Sequence, residues 1–209
     1  MVALLDGIRS LDVAVSTFGE SVRWAPLTAL FLLASVWWVK WPLIAVVGAA
    51  FDRPWRRLLP WAGLASSSAV AAAGLAVMLL KETFDRARPP LADSSIDAVG
   101  LLPSSASFPS GHAATAFAAA VAVGIVHPRL RRPLLALAAL VAVSRVYLGV
   151  HFLSDVLVGS LLGVAIGAVA GTVVRAVAPA PTEPPPSPDL LGTSSAPLHR
   201  SPASAPTRR

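Results

Sequence analysis

Long apolar runs broken by short charged loops dominate this chain, and few folds accommodate them. Stretches 61–80, 112–127, 133–150 and 155–177 each read as a helix crossing a bilayer, whose hydrocarbon core takes about 20 apolar residues to span. The segment 25–51 is apolar except for Lys40, which sits among Trp37, Trp38 and Trp41. At 1.5 Å per residue that segment reaches about 40 Å, too short for two spans. The tryptophan-flanked lysine instead reads as an interfacial anchor. A short interfacial or partly inserted helix up to about Val36 is therefore expected, followed by a fifth span ending near Phe51. Charged residues make up only 13% of the chain, against about a quarter in soluble domains, too few to cover a water-facing surface. The fold class is all-α: a polytopic transmembrane helix bundle with five clear spans, six helices counting an N-terminal interfacial one.

That N-terminal helix is expected because Leu4, Leu5, Ile8, Leu11 and Val15 recur at helical spacing. Asp6, Arg9 and Asp12 interrupt the run, which excludes a secretory signal. Arg53, Arg56 and Arg57 fill one loop, and Arg129, Arg131 and Arg132 another; the positive-inside rule places both in the cytoplasm. The loops at 81–111 and 151–154 then face outward, and the chain after 177 is cytoplasmic. The net charge of +6 resides in such loops rather than on a basic face interleaved with aromatics, so topology accounts for it better than nucleic acid does. With no cysteine, disulfides and thiolate metal sites are excluded. Gly159, Gly163, Gly167 and Gly171 form a small-residue stripe, read as close helix packing inside the bundle rather than a dimer seam. Residues 1–178 are thus read as a membrane-embedded domain, with 1–36 its interfacial N-terminal region. Residues 179–209, rich in Pro, Ser and Ala, are read as a disordered tail without chemistry.

Ionisable groups in or beside apolar stretches are functional-site candidates, and three clusters supply them. His151 and Asp155 lie four apart, on one face if both are helical. A carboxylate beside an imidazole fixes its tautomer and frees the other ring nitrogen as a nucleophile, although alone the pair would more simply pin two helices. Arg145, at the outer end of the preceding span, offers a planar fork for two phosphate oxygens; by itself it would read as snorkelling to headgroups. Ser110 and Gly111 open a helix, with the serine expected to cap it and the glycine to let an anion approach the free N–H groups. His112 is placed beside them as a general acid, which calls for activity to fall on the alkaline side. Lys81 and Arg88 can converge with Arg145 on one phosphate, and Pro89 draws Arg88 out of helical geometry. Lys81, Arg86 and Arg88 all run against the positive-inside rule, though Glu82, Asp85, Asp93 and Asp97 offset them. Nothing in its spacing marks Arg86 for the site, and it reads as solvated or headgroup-facing; His127 and His199 read as bystanders.

The ordered set Lys81-x6-Arg88-Pro89, Pro109-Ser110-Gly111-His112 and Ser144-Arg145-x5-His151-x3-Asp155 resembles the three-part signature of the type 2 phosphatidic acid phosphatase (PAP2) superfamily, which includes bacterial membrane lipid phosphatases and vanadium haloperoxidases. The resemblance covers residues 81–155. It implies that His151 attacks phosphorus, Asp155 orients it and His112 protonates the leaving group, while Lys81, Arg88, Ser110, Gly111 and Arg145 hold the phosphoryl oxygens. It further implies a six-helix bundle with its site at the outer membrane boundary. The expected function is hydrolysis of a phosphomonoester or diphosphate on a membrane lipid of the cell membrane, through a phosphohistidine and without cofactor or metal. Polyprenyl phosphates or diphosphates, phosphatidylglycerophosphate, phosphatidate and prenyl-linked sugar phosphates all qualify as substrates. The alternatives are a non-catalytic lipid-phosphate binding or transport protein, a haloperoxidase using the same pocket, and a metal site built on His112, His151 and Asp155, which three nearby cations oppose.

Overall fold

The computed structural model describes residues 2–37 and 59–178. The span expected to end near Phe51, the Arg53–Arg57 cluster, Lys40 with Trp38 and Trp41, and the 179–209 tail with His199 lie outside the described residues. Within them every regular element is helical. Helix α1 runs Val2–Ser21, α2 Ala25–Trp37, α3 Leu59–Phe84, and the single turn α4 Pro89–Ala92. Then follow α5 Gly111–Val126, a 3₁₀ turn Pro128–Leu130, α6 Arg131–Tyr147 and α7 Leu153–Val177. Two stretches, Trp61–Ala92 and Leu153–Val177, are long and apolar enough to cross a bilayer.

Small side chains decide how the helices pack. In lipid there is no hydrophobic drive between helices, so close van der Waals fit must hold them. The Ala-rich α5 is the axis, enclosed by α3, α6 and α7. Ala65, Ala69 and Ala73 of α3 are fully buried against Ala118 and Ala122 of α5. The glycine stripe of α7 meets the opposite flank of α5: a Cβ on Gly159 would lie 2.5 Å from the Ser110 carbonyl oxygen. Cβ atoms on Gly163 and Gly167 would likewise collide with the carbonyls of Ala114 and Ala118, and one on Gly171 would lie 2.9 Å from the Cα of Ala122. The two four-residue repeats mesh, so the stripe serves packing within the bundle.

Helix α1 packs on α6 and α7 through a side that carries Asp12 and Ser16. Asp12 and Ser16 are buried, whereas Leu4, Leu5, Ile8 and Leu11 are exposed. Leu157, Leu161, Val169 and Val173 on α7 face outward as well. A bilayer solvates such an exterior; water does not.

Between α6 and α7 the chain turns through Gly149 at φ +70°, where a Cβ would strike the Asp97 carbonyl. Val99 donates its N–H to the Leu148 carbonyl (2.9 Å), and the Arg23 guanidinium reaches the Asp97 carbonyl (2.5 Å). Tyr147 stands edge-on to Phe31 of α2 and accepts the Trp24 N–H at 2.8 Å. These contacts fix the turn carrying His151 against the long 93–110 loop.

Candidate active site

His151 lies in the turn before α7, not on it, because α7 begins at Leu153. The shared helical face expected of His151 and Asp155 is therefore not what joins them. Asp155 instead folds back over its own helix terminus, accepting the Phe152 N–H on Oδ2 at 2.9 Å, and that brings the carboxylate under the imidazole. The His151 Nδ1 to Asp155 Oδ2 distance is 3.6 Å, longer than a hydrogen bond. Ser107 sits at the same corner, donating to Asp155 Oδ2 at 2.6 Å with its Oγ 3.4 Å from His151 Nδ1. On the other side Arg88 Nη1 approaches His151 Nε2 at 3.3 Å. A guanidinium only donates, so this contact requires a lone pair on Nε2 and assigns the ring proton to Nδ1. Burial pushes the His151 pKa down to about 4; Asp155 pulls it up, and Arg88 and Lys81 add to the depression.

The remaining signature residues gather around this pair. Arg88 has the extended backbone expected before Pro89 and is buried. Arg145 is buried at the end of α6. His112, partly buried in the first turn of α5, feels the charges of Arg145, His151, Arg88 and Lys81. The Ser110 N–H donates to the Asp155 carbonyl at 3.0 Å, tying the start of α5 to the start of α7. Among the described residues no three His, Asp or Glu side chains group as metal ligands would.

Two expectations need correction, the side-chain cap by Ser110 and the reading of Arg86. Ser110 occupies the cap position of α5 but makes no side-chain cap; its Oγ is buried without a hydrogen-bond partner among the described residues, as is Arg145 Nε. At Gly111 a Cβ would meet Val77 Cγ1 at 3.4 Å, an ordinary van der Waals contact. Lys81 and Arg88 converge on the loop before Pro109: Lys81 Nζ donates to the Ala106 carbonyl and Ser105 Oγ, and Arg88 Nε donates to the Ser105 carbonyl at 2.9 Å. Arg86 is not a solvated bystander. It bridges Asp155 Oδ1 at 2.6 Å and Asp12 Oδ2 at 2.8 Å, with its guanidinium 4.3 Å above the Phe152 ring. Ser107, Arg86 and Asp12 are the residues that motif spacing misses. The one available signal was Asp12 itself, a carboxylate in a helix whose other face is apolar. His127 is fully buried at the end of α5, apart from this cluster.

Fold and site together define a helical bundle built around a histidine-carboxylate pair ringed by cations. A family model described as the PAP2 superfamily matches residues 62–178. The chain is 39% identical over 131 residues to the decaprenylphosphoryl-5-phosphoribose phosphatase of Mycobacterium tuberculosis, a match covering 60% of this chain and 66% of that protein. It is 36% identical over 110 residues to the lipid A 1-phosphatase of Rhizobium etli, covering 49% of this chain and 46% of the relative. It thus spans less than two thirds of either relative. Among solved structures it is similar to the transmembrane PAP2 type phosphatidylglycerolphosphate phosphatase of Bacillus subtilis, with a TM-score of 0.65, 26% identity and coverage of 82% and 88% of the two chains. It is also similar to LpxE of Aquifex aeolicus, with a TM-score of 0.64, 26% identity and coverage of 77% and 94%. The chain belongs to the PAP2 superfamily. Two of its stretches are long and apolar enough to cross a bilayer, and the Bacillus subtilis phosphatase it resembles is transmembrane.

Proposed function

We propose that this protein is an integral membrane phosphatase that removes phosphate from a phosphorylated membrane lipid, with His151 as nucleophile. The observation that carries the proposal is the setting of one imidazole: Nδ1 faces Ser107 and Asp155, Nε2 bears the lone pair, and Arg88 lies on that side. Ser110 Oγ and Arg145 Nε, buried donors without partners among the described residues, support an oxyanion pocket, because such donors are costly until an acceptor reaches them.

In the first step the Nε2 lone pair of His151 forms a bond to phosphorus as the bond to the leaving oxygen breaks. His112 gives that oxygen its proton, and Asp155 stabilises the cationic phosphohistidine. Water then attacks phosphorus, His112 takes its proton, the P–N bond breaks, and phosphate leaves with His151 neutral again. Lys81, Arg88, Arg145, Ser110 and Gly111 hold the phosphoryl oxygens. Most of the rate enhancement comes from these prepositioned charges, since phosphoryl transfer is chiefly positioning and electrostatics. The domain over 1–178 crosses the cell membrane five times with this site at its outer face and residues 179–209 in the cytoplasm. The Mycobacterium tuberculosis relative favours a prenyl-linked sugar phosphate within the substrate class, with polyprenyl mono- and diphosphates next.

The test is phosphate release by the purified full-length protein in detergent with chelator present. The panel comprises a prenyl-linked sugar phosphate, a polyprenyl phosphate and diphosphate, phosphatidylglycerophosphate and phosphatidate. Turnover of at least one is expected, and His151→Ala should abolish it while lipid binding persists. Undiminished release by His151→Ala would overturn the nucleophile, and lipid binding without release by the wild type would mark a binding or transport protein instead.

A further inference from the structure

Asp12 and Arg86 have no part in the chemistry above, yet both are bonded into the carboxylate behind His151. We propose, resting on that reading of His151, that Asp12, Arg86 and Ser154 form a positioning relay that aims Asp155, making the N-terminal helix α1 a working part of the catalytic centre. Asp12 lies outside the segment 62–178 matched by the family model, whereas Arg86 and Ser154 lie within it.

The contacts form a closed ring. Arg86 Nη1 donates to Asp155 Oδ1 at 2.6 Å and to Ser154 Oγ at 2.7 Å, while its Nη2 donates to Asp12 Oδ2 at 2.8 Å. Ser154 closes the ring from α7, giving its N–H to Asp12 Oδ1 at 2.8 Å and its hydroxyl to Asp12 Oδ2 at 2.6 Å. Both carboxylates are withdrawn from solvent, Asp12 at 2% and Asp155 at 0% exposure, and Arg86 at 29% is the cation they share. Two buried carboxylates tolerate each other's proximity only with such a cation between them.

The division of Asp155 between its two oxygens gives the relay its purpose. Oδ2 takes Ser107 and the Phe152 N–H and faces His151, and Arg86 pins Oδ1 on the far side. Pinning Oδ1 stops the carboxylate from rotating away as the imidazole gains charge. Asp12 in turn holds Arg86 against α1, and the Phe152 ring supports the guanidinium from below. A lysine, a single point charge, cannot make both bridges in this geometry. A cleft of about 680 Å³ between α1, α3 and α7, lined in part by Leu5, Ile8, Phe108 and Phe152, opens on Arg86 and Ser154. Free guanidinium can therefore reach the place of the Arg86 side chain if that side chain is cut back.

The experiment measures kcat and KM of the full-length protein in detergent on whichever lipid of the panel the wild type turns over fastest. Arg86→Ala is expected to lose about 100-fold in kcat, the scale of a catalytic group displaced by about 1 Å, with KM within a factor of about two. Guanidinium chloride should restore much of that loss, and an equal concentration of sodium chloride should not. Arg86→Lys and Asp12→Asn should show smaller kcat losses of the same kind. Wild-type kcat in Arg86→Ala, a loss confined to KM, or no rescue by guanidinium would each overturn the relay. If Arg86→Ala is not recovered folded, Arg86→Lys and Asp12→Asn decide: reduced kcat at unchanged KM in both sustains the relay, and wild-type kcat in either overturns it. His151→Ala, run in parallel, separates the two failures. Full activity there removes the nucleophile, whereas a dead His151→Ala beside an unaffected Arg86→Ala removes only the relay.

Discussion

The proposed attack on phosphorus requires His151 to keep its Nε2 lone pair, and burial sets the pH range over which it does. An ordinary histidine titrates near 6.5, whereas this one is pushed down to about 4. The acid limb of kcat/KM is therefore predicted near pH 4, and a limb near pH 6.5 would contradict the buried setting. The same shift has a stability consequence. Between pH 6.5 and about 4 the unfolded chain binds a proton that folded His151 refuses, so stability is complete above the upper value and is lost as pH falls through the lower one. Thermal unfolding of His151→Gln across that window should show a flatter pH dependence than wild type. Ser107→Ala leaves Asp155 Oδ2 with one backbone donor and should lower stability by about 1.5–3 kcal/mol, the range for a hydrogen bond to a charged group. It should lower kcat as well, because Ser107 touches both members of the pair. At this scale the motifs named the imidazole, the acid and the cations, since their chemistry follows from residue type. Ser107 and Arg86 stayed hidden because their roles arise from a loop and a helix end that meet only in three dimensions. Nothing in residues 103–108 distinguishes Ser107 from Ser104 or Ser105 before the chain folds.

The helices set the site through α5 and α7, whose glycine-to-carbonyl contacts fix how closely Ser110 approaches Asp155. Gly163→Val would drive a side chain into the Ala114 carbonyl, an overpacking that costs typically about 1–3 kcal/mol. It should lower the unfolding temperature in detergent and reduce kcat together, because the Ser110–His112 turn moves with α5. Gly74→Ala is the matched control: a Cβ there meets nothing within 4 Å, and both quantities should stay at wild-type values. Helical periodicity and the glycine spacing made these elements legible, with differences from the expected spans falling at helix ends. What periodicity could not reveal is how His151, in the turn before α7, meets Asp155 within it. The pair is joined by a carboxylate capping its own helix, a geometry that four-residue spacing mimics.

For the molecule as a whole, the outward apolar faces of α1 and α7 and the inward Asp12 are what a bundle immersed in lipid requires. The amphipathic character of α1 was readable from Leu4, Leu5, Ile8 and Leu11. Its docking on α6 and α7 was not, because a stripe that faces lipid has the same period as one that faces a core. The chain has no cysteine of its own, so single-cysteine variants report sidedness cleanly. Ser94→Cys, in the loop beside the site, should react with a membrane-impermeant maleimide added to intact cells. Arg132→Cys, at the opposite end of α6, should react only after the membrane is opened. The reverse pattern would invert the proposed topology.

The most direct measurement is rapid quenching of the wild-type protein with a lipid substrate carrying ³²P in the phosphate removed. A base-stable, acid-labile label should appear on the protein within the first turnover, map to His151 and be missing from His151→Ala. Turnover that continues in His151→Ala, with no protein-bound phosphate at any time, would contradict histidine-centred phosphoryl transfer at this site.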